Sequence, residues 1–130
     1  SGPLLDRIDI NIEVPRVAYE KLENATLGEP STSIRARVEA ARVRQRQRLG
    51  PVGLSCNADM GPAEIREFCV MTDDARALVR TAMRQMQLSA RAYHRVLKVS
   101  RTIADLEGVA PLQAHHLAEA LQYRTRVLDL

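Results

Sequence analysis

Two arginines stand where an anion could be handled. Ser89 is a candidate helix N-cap, which places Arg91 in the first helical turn. A cation there opposes the helix macrodipole by about 0.3–1 kcal/mol. Beside the free backbone N–H groups of a helix start, however, a guanidinium completes a phosphate clamp. Arg91, Arg95 and Lys98 fall opposite the apolar stripe of their own helix and are predicted to be exposed, with a solvated basic face as the alternative reading. Arg7 directly precedes the alternating segment Ile8-Asp9-Ile10-Asn11-Ile12-Glu13-Val14. An arginine at the end of a sheet strand can reach a ligand beyond the sheet edge; an ion pair with Asp6 or Asp9 is the plainer use of it.

Other reactive residue types offer less. Arg35, Arg42 and Arg46 form one row and Arg37, Arg44 and Arg48 another, flanking an apolar helical stripe, so they read either as solvated faces or as a nucleic-acid phosphate track. His115 and His116 are adjacent and point about 100° apart on a helix, which is wrong for joint metal ligation, and His94 has no evident partner. No metal site is expected. Neither a Ser/His/Asp nor a Cys/His arrangement can be argued, and Asp73-Asp74 reads as favourable first-turn charge.

The elements that must carry these residues are mostly helical. Residues 8–14 alternate with period 2 and form the one convincing strand, yet nothing downstream offers it a partner, so it is expected to belong to a sheet outside this chain. Pro15 ends it, and the stretch to Pro30 reads as a connecting arm. Residues 1 to about 30 are accordingly expected to be mobile in the monomer, or to be held by a neighbouring chain or by packing on the helical body. From Ser33 the period becomes helical, with Ile34, Val38, Ala41, Gln45 and Leu49 on one stripe, capping candidates at Ser31–Ser33 and a stop at Gly50-Pro51. A loop anchored by Leu54 and Met60 leads to a short helix after Pro62. Thr72 caps a helix with the stripe Ala75, Leu78, Val79, Ala82, Met83 and Met86; Ser89 caps the longest one, closed by Gly108; and a last helix is predicted from Pro111 to about Tyr123. Four long amphipathic helices with short links predict a mainly α fold, a small helical bundle over residues 31–130 preceded by the orphan strand and arm of residues 1–30.

Composition sets the outer bounds. A chain of 130 residues buries roughly two thirds of its unfolded surface and needs no staples. Cys56 and Cys69 lack the spacing of a zinc or redox pair, and no uncharged run of about 18 residues or signal-like h-region occurs, so a cytoplasmic protein without a membrane partner is expected. Of 19 basic residues 17 are arginines, against 16 acidic ones, a balance of +3 that permits nucleic-acid binding without demanding it. With four aromatic residues in all, a base-stacking platform for single strands is not expected.

Two stretches carry a resemblance. SGPLLDRIDINIEVPRV and LSARAYHRVLKVSRTIADLEG, followed by HLAEALQYR, closely resemble the C-terminal portion of the bacterial magnesium-chelatase-like AAA+ ATPases of the ComM/YifB type. The resemblance implies that residues 1–30 end the nucleotide-binding core and that residues 31–130 are the helical lid. It further implies that Arg7, in LLDRID, matches the arginine finger, acting in trans on the nucleotide of a neighbouring subunit, and that Arg91, in LSAR, matches the sensor-2 arginine, a cofactor-binding residue that reads the γ-phosphate. ATP and Mg²⁺ would then be cofactors of the parent protein, its partners would be further subunits of a hexamer, and DNA would be its substrate, as in motors that migrate DNA branches during natural transformation. The chain itself has neither a GxxxxGK[ST] loop nor an apolar run ending in Asp-Glu, so it is expected to bind no nucleotide and hydrolyse no ATP alone, and to bind DNA weakly or not at all. The segment GPLLDRIDI is nearer the ComM/YifB type than true chelatase subunits. The lid of a metal-insertion ATPase and an independent helical DNA-binding module remain the competing readings.

Overall fold

Two of the long helices start on side-chain caps. The computed structural model describes residues 3, 4, 7–23 and 28–128; residues 24–27 of the arm and Asp6, one of the two acids considered for Arg7, lie outside them. In chain order the helices are α1 (Tyr19–Glu23), α2 (Ser31–Leu49), α3 (Pro62–Phe68), α4 (Asp73–Gln85), α5 (Ala90–Glu107) and α6 (Ala114–Leu128). Thr72 Oγ1 accepts the Ala75 N–H at 3.2 Å, and Ser89 Oγ accepts that of Ala92 at 3.1 Å, each satisfying one of the orphan donors of a helix start. Gly108 ends α5 at φ +81, a left-handed conformation in which a Cβ would also meet the Arg44 guanidinium at 3.1 Å. α2 lacks the expected serine cap: the helix begins one residue after Pro30, with no side-chain cap bond.

α5 is the central element, packed against α6, α2 and α3, while α4 packs on α6. Leu49, Val96, Leu97, Ala104, Leu112 and Leu117 form the heart of the core, and the predicted stripe of α4 is buried or half-buried throughout. Met60 is fully enclosed and Leu54 leans on the same cluster, so both loop anchors hold. α2 behaves differently along its length. Ala41, Gln45 and Leu49 are buried, but Ile34 and Val38 remain 44% and 42% exposed, because every residue from 31 to 40 lies outside the packed body.

The arm and the last helix bear on the expectations differently. Residues 8–14, expected to have no partner in this chain, form no strand among the described residues and are largely exposed, since no second strand supplies a ladder. The segment is held instead by side chains and single hydrogen bonds: Asp9 pairs with Arg95 at 2.7 Å, the Asn11 N–H donates to the Tyr123 carbonyl at 3.1 Å, and Arg124 donates to the Ile8 carbonyl at 3.3 Å. The last helix begins at Ala114, not Pro111. The Leu112 N–H donates to the Val70 carbonyl and the Leu112 carbonyl accepts from the Thr72 N–H, a short parallel bridge beside Met71 that draws residue 112 out of helical conformation. Among the described residues no helix is long and apolar enough to cross a membrane.

A buried polar hub ties these elements together. Asp105, 1% exposed, accepts from Arg48 at 2.7 and 3.0 Å, from Asn57 at 2.9 Å and from Arg101 Nε at 3.2 Å. Arg101 spends its other bonds on the carbonyls of Phe68, Val109 and Ala110. Burial pushes the Arg101 guanidinium below its usual value, Asp105 raises it again and Arg48 opposes that rise. Asn57 completes the set, its N–H donating to Gln45 and its amide nitrogen also reaching Thr102.

Removing the carboxylate leaves buried guanidinium charge without compensation, so Asp105→Ala should destabilise the chain by about 3–5 kcal/mol, read as a shifted urea midpoint. A cost below about 1 kcal/mol would show that the hub contributes little. The thiols offer a second check. Burial pushes the Cys69 thiol up to about 11, whereas Cys56 is half-buried on a surface turn. Near neutral pH an alkylating reagent should label Cys56 and spare Cys69 until the chain unfolds; equal labelling rates in the native chain would contradict the packing around Cys69.

Candidate nucleotide-facing site

Arg91 is the second residue of α5 and is exposed. Helix geometry leaves the N–H groups of Ala90 and Arg91 without intrahelical acceptors, so the side chain stands beside backbone donors of the same polarity. It borders a cleft of about 380 Å³ together with His94, Arg95 and Lys98 from the same face of α5, opposite Pro62 and Ile65 of α3. Spacing of three, four and seven residues from Arg91 brings those groups onto one side of the helix.

The basic face is less open than its sequence implies. Arg95 is half-buried, engaged with Asp9, and its Nε is enclosed without an acceptor. Lys98 is half-buried too, donating to the Ala58 carbonyl at 3.0 Å. Arg91 alone of these cations, among the described residues, has no ion-pair or hydrogen-bond partner. The uncommitted Arg91 guanidinium, the engaged cations Arg95 and Lys98 and the His94 imidazole together form a cleft whose chemistry suits an anion. His94, for which the sequence offers no partner, lines this cleft; its three-residue offset from Arg91 is the signal that could have placed it there.

Arg7 lies elsewhere. It is exposed in a turn of the arm, its backbone N–H donating to the Leu4 carbonyl, and it does not line the Arg91 cleft. The acid considered as its partner, Asp9, turns to Arg95 instead, which lays the residues after Arg7 along α5 without bringing the two arginines into one pocket. The arginine rows of α2 also divide. Arg44 donates to the Asp105 carbonyl at the end of α5, and Arg48 grips its carboxylate; Arg35, Arg42 and Arg46 stay exposed.

The adjacent histidines meet after all. Nε2 of His115 and of His116 each approach Glu107 Oε2 at 2.8 Å, because the acceptor comes from another helix and sits between the two rings. The Gln113 N–H donates to His116 Nδ1 at 2.9 Å, which places the proton of that ring on Nε2, pointing at Glu107. With its lone pair used on a backbone donor and its N–H on a carboxylate, His116 serves the trio as a hydrogen-bonded clasp between the end of α5 and the start of α6. The bonds from His115 and then His116 hold the Glu107 carboxyl below its usual range.

This fold and site define a class. The family described as magnesium chelatase, subunit ChlI C-terminal, matches residues 28–124, and the chain belongs to it. Over 128 residues, 98% of this chain and 24% of the relative, it is 44% identical to the competence protein ComM of Haemophilus influenzae. The uncharacterized YifB proteins of Salmonella typhimurium and Escherichia coli are 42% and 38% identical over 126 and 125 residues, in each case 95% of this chain and 24% of theirs. The chain thus spans about a quarter of the length of these curated relatives. It is a ComM/YifB-type magnesium-chelatase-like C-terminal domain, the helical lid of an AAA+ protein.

The clasp carries a pH signature. Because folding depresses the Glu107 carboxyl, its contribution is complete above the ordinary carboxylate range and is lost as pH falls through the lowered folded value. Urea midpoints of the native chain and of Glu107→Gln should therefore differ near neutral pH and converge in acid, once the pH has passed below the depressed value. A difference that persists unchanged in acid would remove ionised Glu107 from the account.

Proposed function

We propose that the chain serves as the sensor-bearing lid of a ring-forming AAA+ ATPase. The observation that carries this reading is Arg91, an uncommitted guanidinium at the start of the central helix α5, bordering a cleft of cationic and imidazole groups. In this role Arg91 reads the γ-phosphate, and Arg7 acts as an arginine finger on the nucleotide of the next subunit. Residues 1–30 then end the nucleotide-binding core, where Ile8–Val14 would find the sheet partners that the lid lacks. ATP and Mg²⁺ are held by the rest of such a protein, since this chain has neither the Gly-rich phosphate loop nor its lysine. An arginine stabilises charge developing on the transferred phosphoryl group, and that works only where lysine and metal already position it.

For the whole protein we propose a cytoplasmic, hexameric motor that works on DNA and migrates branches during natural transformation. It is supported by 44% identity to a protein named for competence. A metal-insertion ATPase shares the family description, and the two separate on whether duplex DNA or a tetrapyrrole and Mg²⁺ stimulates ATP turnover.

The test uses a full-length protein carrying this domain behind a Walker A segment. Arg91→Ala and Arg7→Ala should each change stability by no more than about 0.5 kcal/mol, as exposed substitutions do. Each should nevertheless cut ATP turnover sharply, for a trans arginine finger supplies about 10³ to 10⁵ in rate. Subunits with Arg7→Ala mixed with subunits lacking the Walker lysine should recover hydrolysis at the interface where intact halves meet. Full turnover in Arg7→Ala would remove the finger, and a large loss of stability in Arg91→Ala would make that residue structural.

A further inference from the structure

The charge of this molecule is concentrated on one helix. α2 holds six arginines and one acid, Glu39, for a charge of +5 in a chain whose whole balance is +3, so the remainder sums to −2. The arginines do different work. Arg44 and Arg48 turn inward to Asp105, and Arg37 is bound to Glu29. Arg35, Arg42 and Arg46 are exposed and, among the described residues, have no acidic partner. Offsets of seven and four residues place the three within an arc of about 40°, along roughly 16 Å of helix. Glu39 stands about 20° beyond the edge of this arc and, among the described residues, pairs with none of the three, which tempers the row without closing it. Residues 31–40, Arg35 among them, are all exposed, and Arg42 and Arg46 lie on the exposed side of the packed half of α2, so an extended partner can lie along the row.

We propose that Arg35, Arg42 and Arg46 form a docking surface for the phosphate backbone of duplex DNA. The inference deepens the DNA-acting reading above and rests on it for the choice of polyanion. Guanidinium forks suit phosphate oxygens, and an all-arginine row is the bidentate form of such a surface. α2 has no aromatic residue, so it offers bases nothing to stack on and leaves a duplex paired. Contacts of this type fix the position of a duplex without reading its sequence. The negative balance of the rest of the chain orients α2 toward a polyanion as the two approach.

Fluorescence anisotropy of a labelled duplex, titrated with the full chain at several salt concentrations, tests this. Binding should be weak and indifferent to sequence, with a slope of log affinity against log salt near −2.7, about 0.9 for each of three phosphates. The variant Arg35→Gln/Arg42→Gln/Arg46→Gln should lose at least about tenfold in affinity and most of that slope. Arg76→Gln/Arg80→Gln/Arg84→Gln on α4 removes the same charge from another exposed row, one that shares its helix with Asp73 and Asp74, and should leave binding largely intact. Circular dichroism checks that both variants fold. Failure of the native chain to bind at low salt, equal losses from the two triples, or stronger competition by polyglutamate than by unlabelled duplex would each overturn the proposal. Stimulation of the full-length ATPase by DNA is measured separately, so loss of the α2 surface and loss of the DNA-acting reading give different results.

Discussion

A single buried carboxylate sets the frame of this domain. Asp105 sits near the end of α5 and receives a guanidinium from α2, a second from its own helix and an amide from the loop at Asn57. The buried guanidinium of Arg101 and the half-buried one of Arg48 need that charge, and an isolated one would be costly beside a core of Leu49, Val96 and Leu117. Once Asp105 is fixed, Arg101 is fixed with it, and Arg101 in turn gathers the carbonyls of Phe68, Val109 and Ala110. Elements far apart in sequence are thereby held in one register, which apolar contacts, being non-directional, specify less sharply.

The same hub completes the C-terminus of α5. The last carbonyls of a helix carry partial negative charge and lack intrahelical donors. Here Arg44 donates to the Asp105 carbonyl, while Gly108 closes the turn and Arg101 holds the peptide that follows. At the other end Ser89 occupies one N–H group and leaves the helix start otherwise open beside Arg91. α5 is thus saturated at its buried end and unsaturated at its exposed start. A rigid helix of 18 residues, about 27 Å, separates the two conditions and presents Arg91 from a fixed base.

Arginine content alone would mislead. The two rows on α2 look equivalent, yet Arg44 and Arg48 of one reach the hub at Asp105 while its Arg37 and the whole of the other row face solvent. On α5, Arg95 and Lys98 share a face with Arg91, but Asp9 and the Ala58 carbonyl engage them. Which guanidinium remains uncommitted depends on acids and carbonyls brought from distant parts of the chain.

The sequence by itself determined the helical elements, their caps at Thr72 and Ser89, the stop at Gly108 and the apolar stripes, because each is a matter of neighbours within one or two turns. It also marked Arg91 as a cation at a helix start, the feature that still defines the candidate site. Only the tertiary structure decided that Asp105 is the hub, that Leu112 bridges to Val70, that His115 and His116 converge on Glu107, and that Ile8–Val14 forms no strand here. These outcomes join residues far apart in the chain, or depend on a partner that must come from another element. The alternation in residues 8–14 records a preference for extended backbone, but a strand exists only where a second backbone completes its ladder.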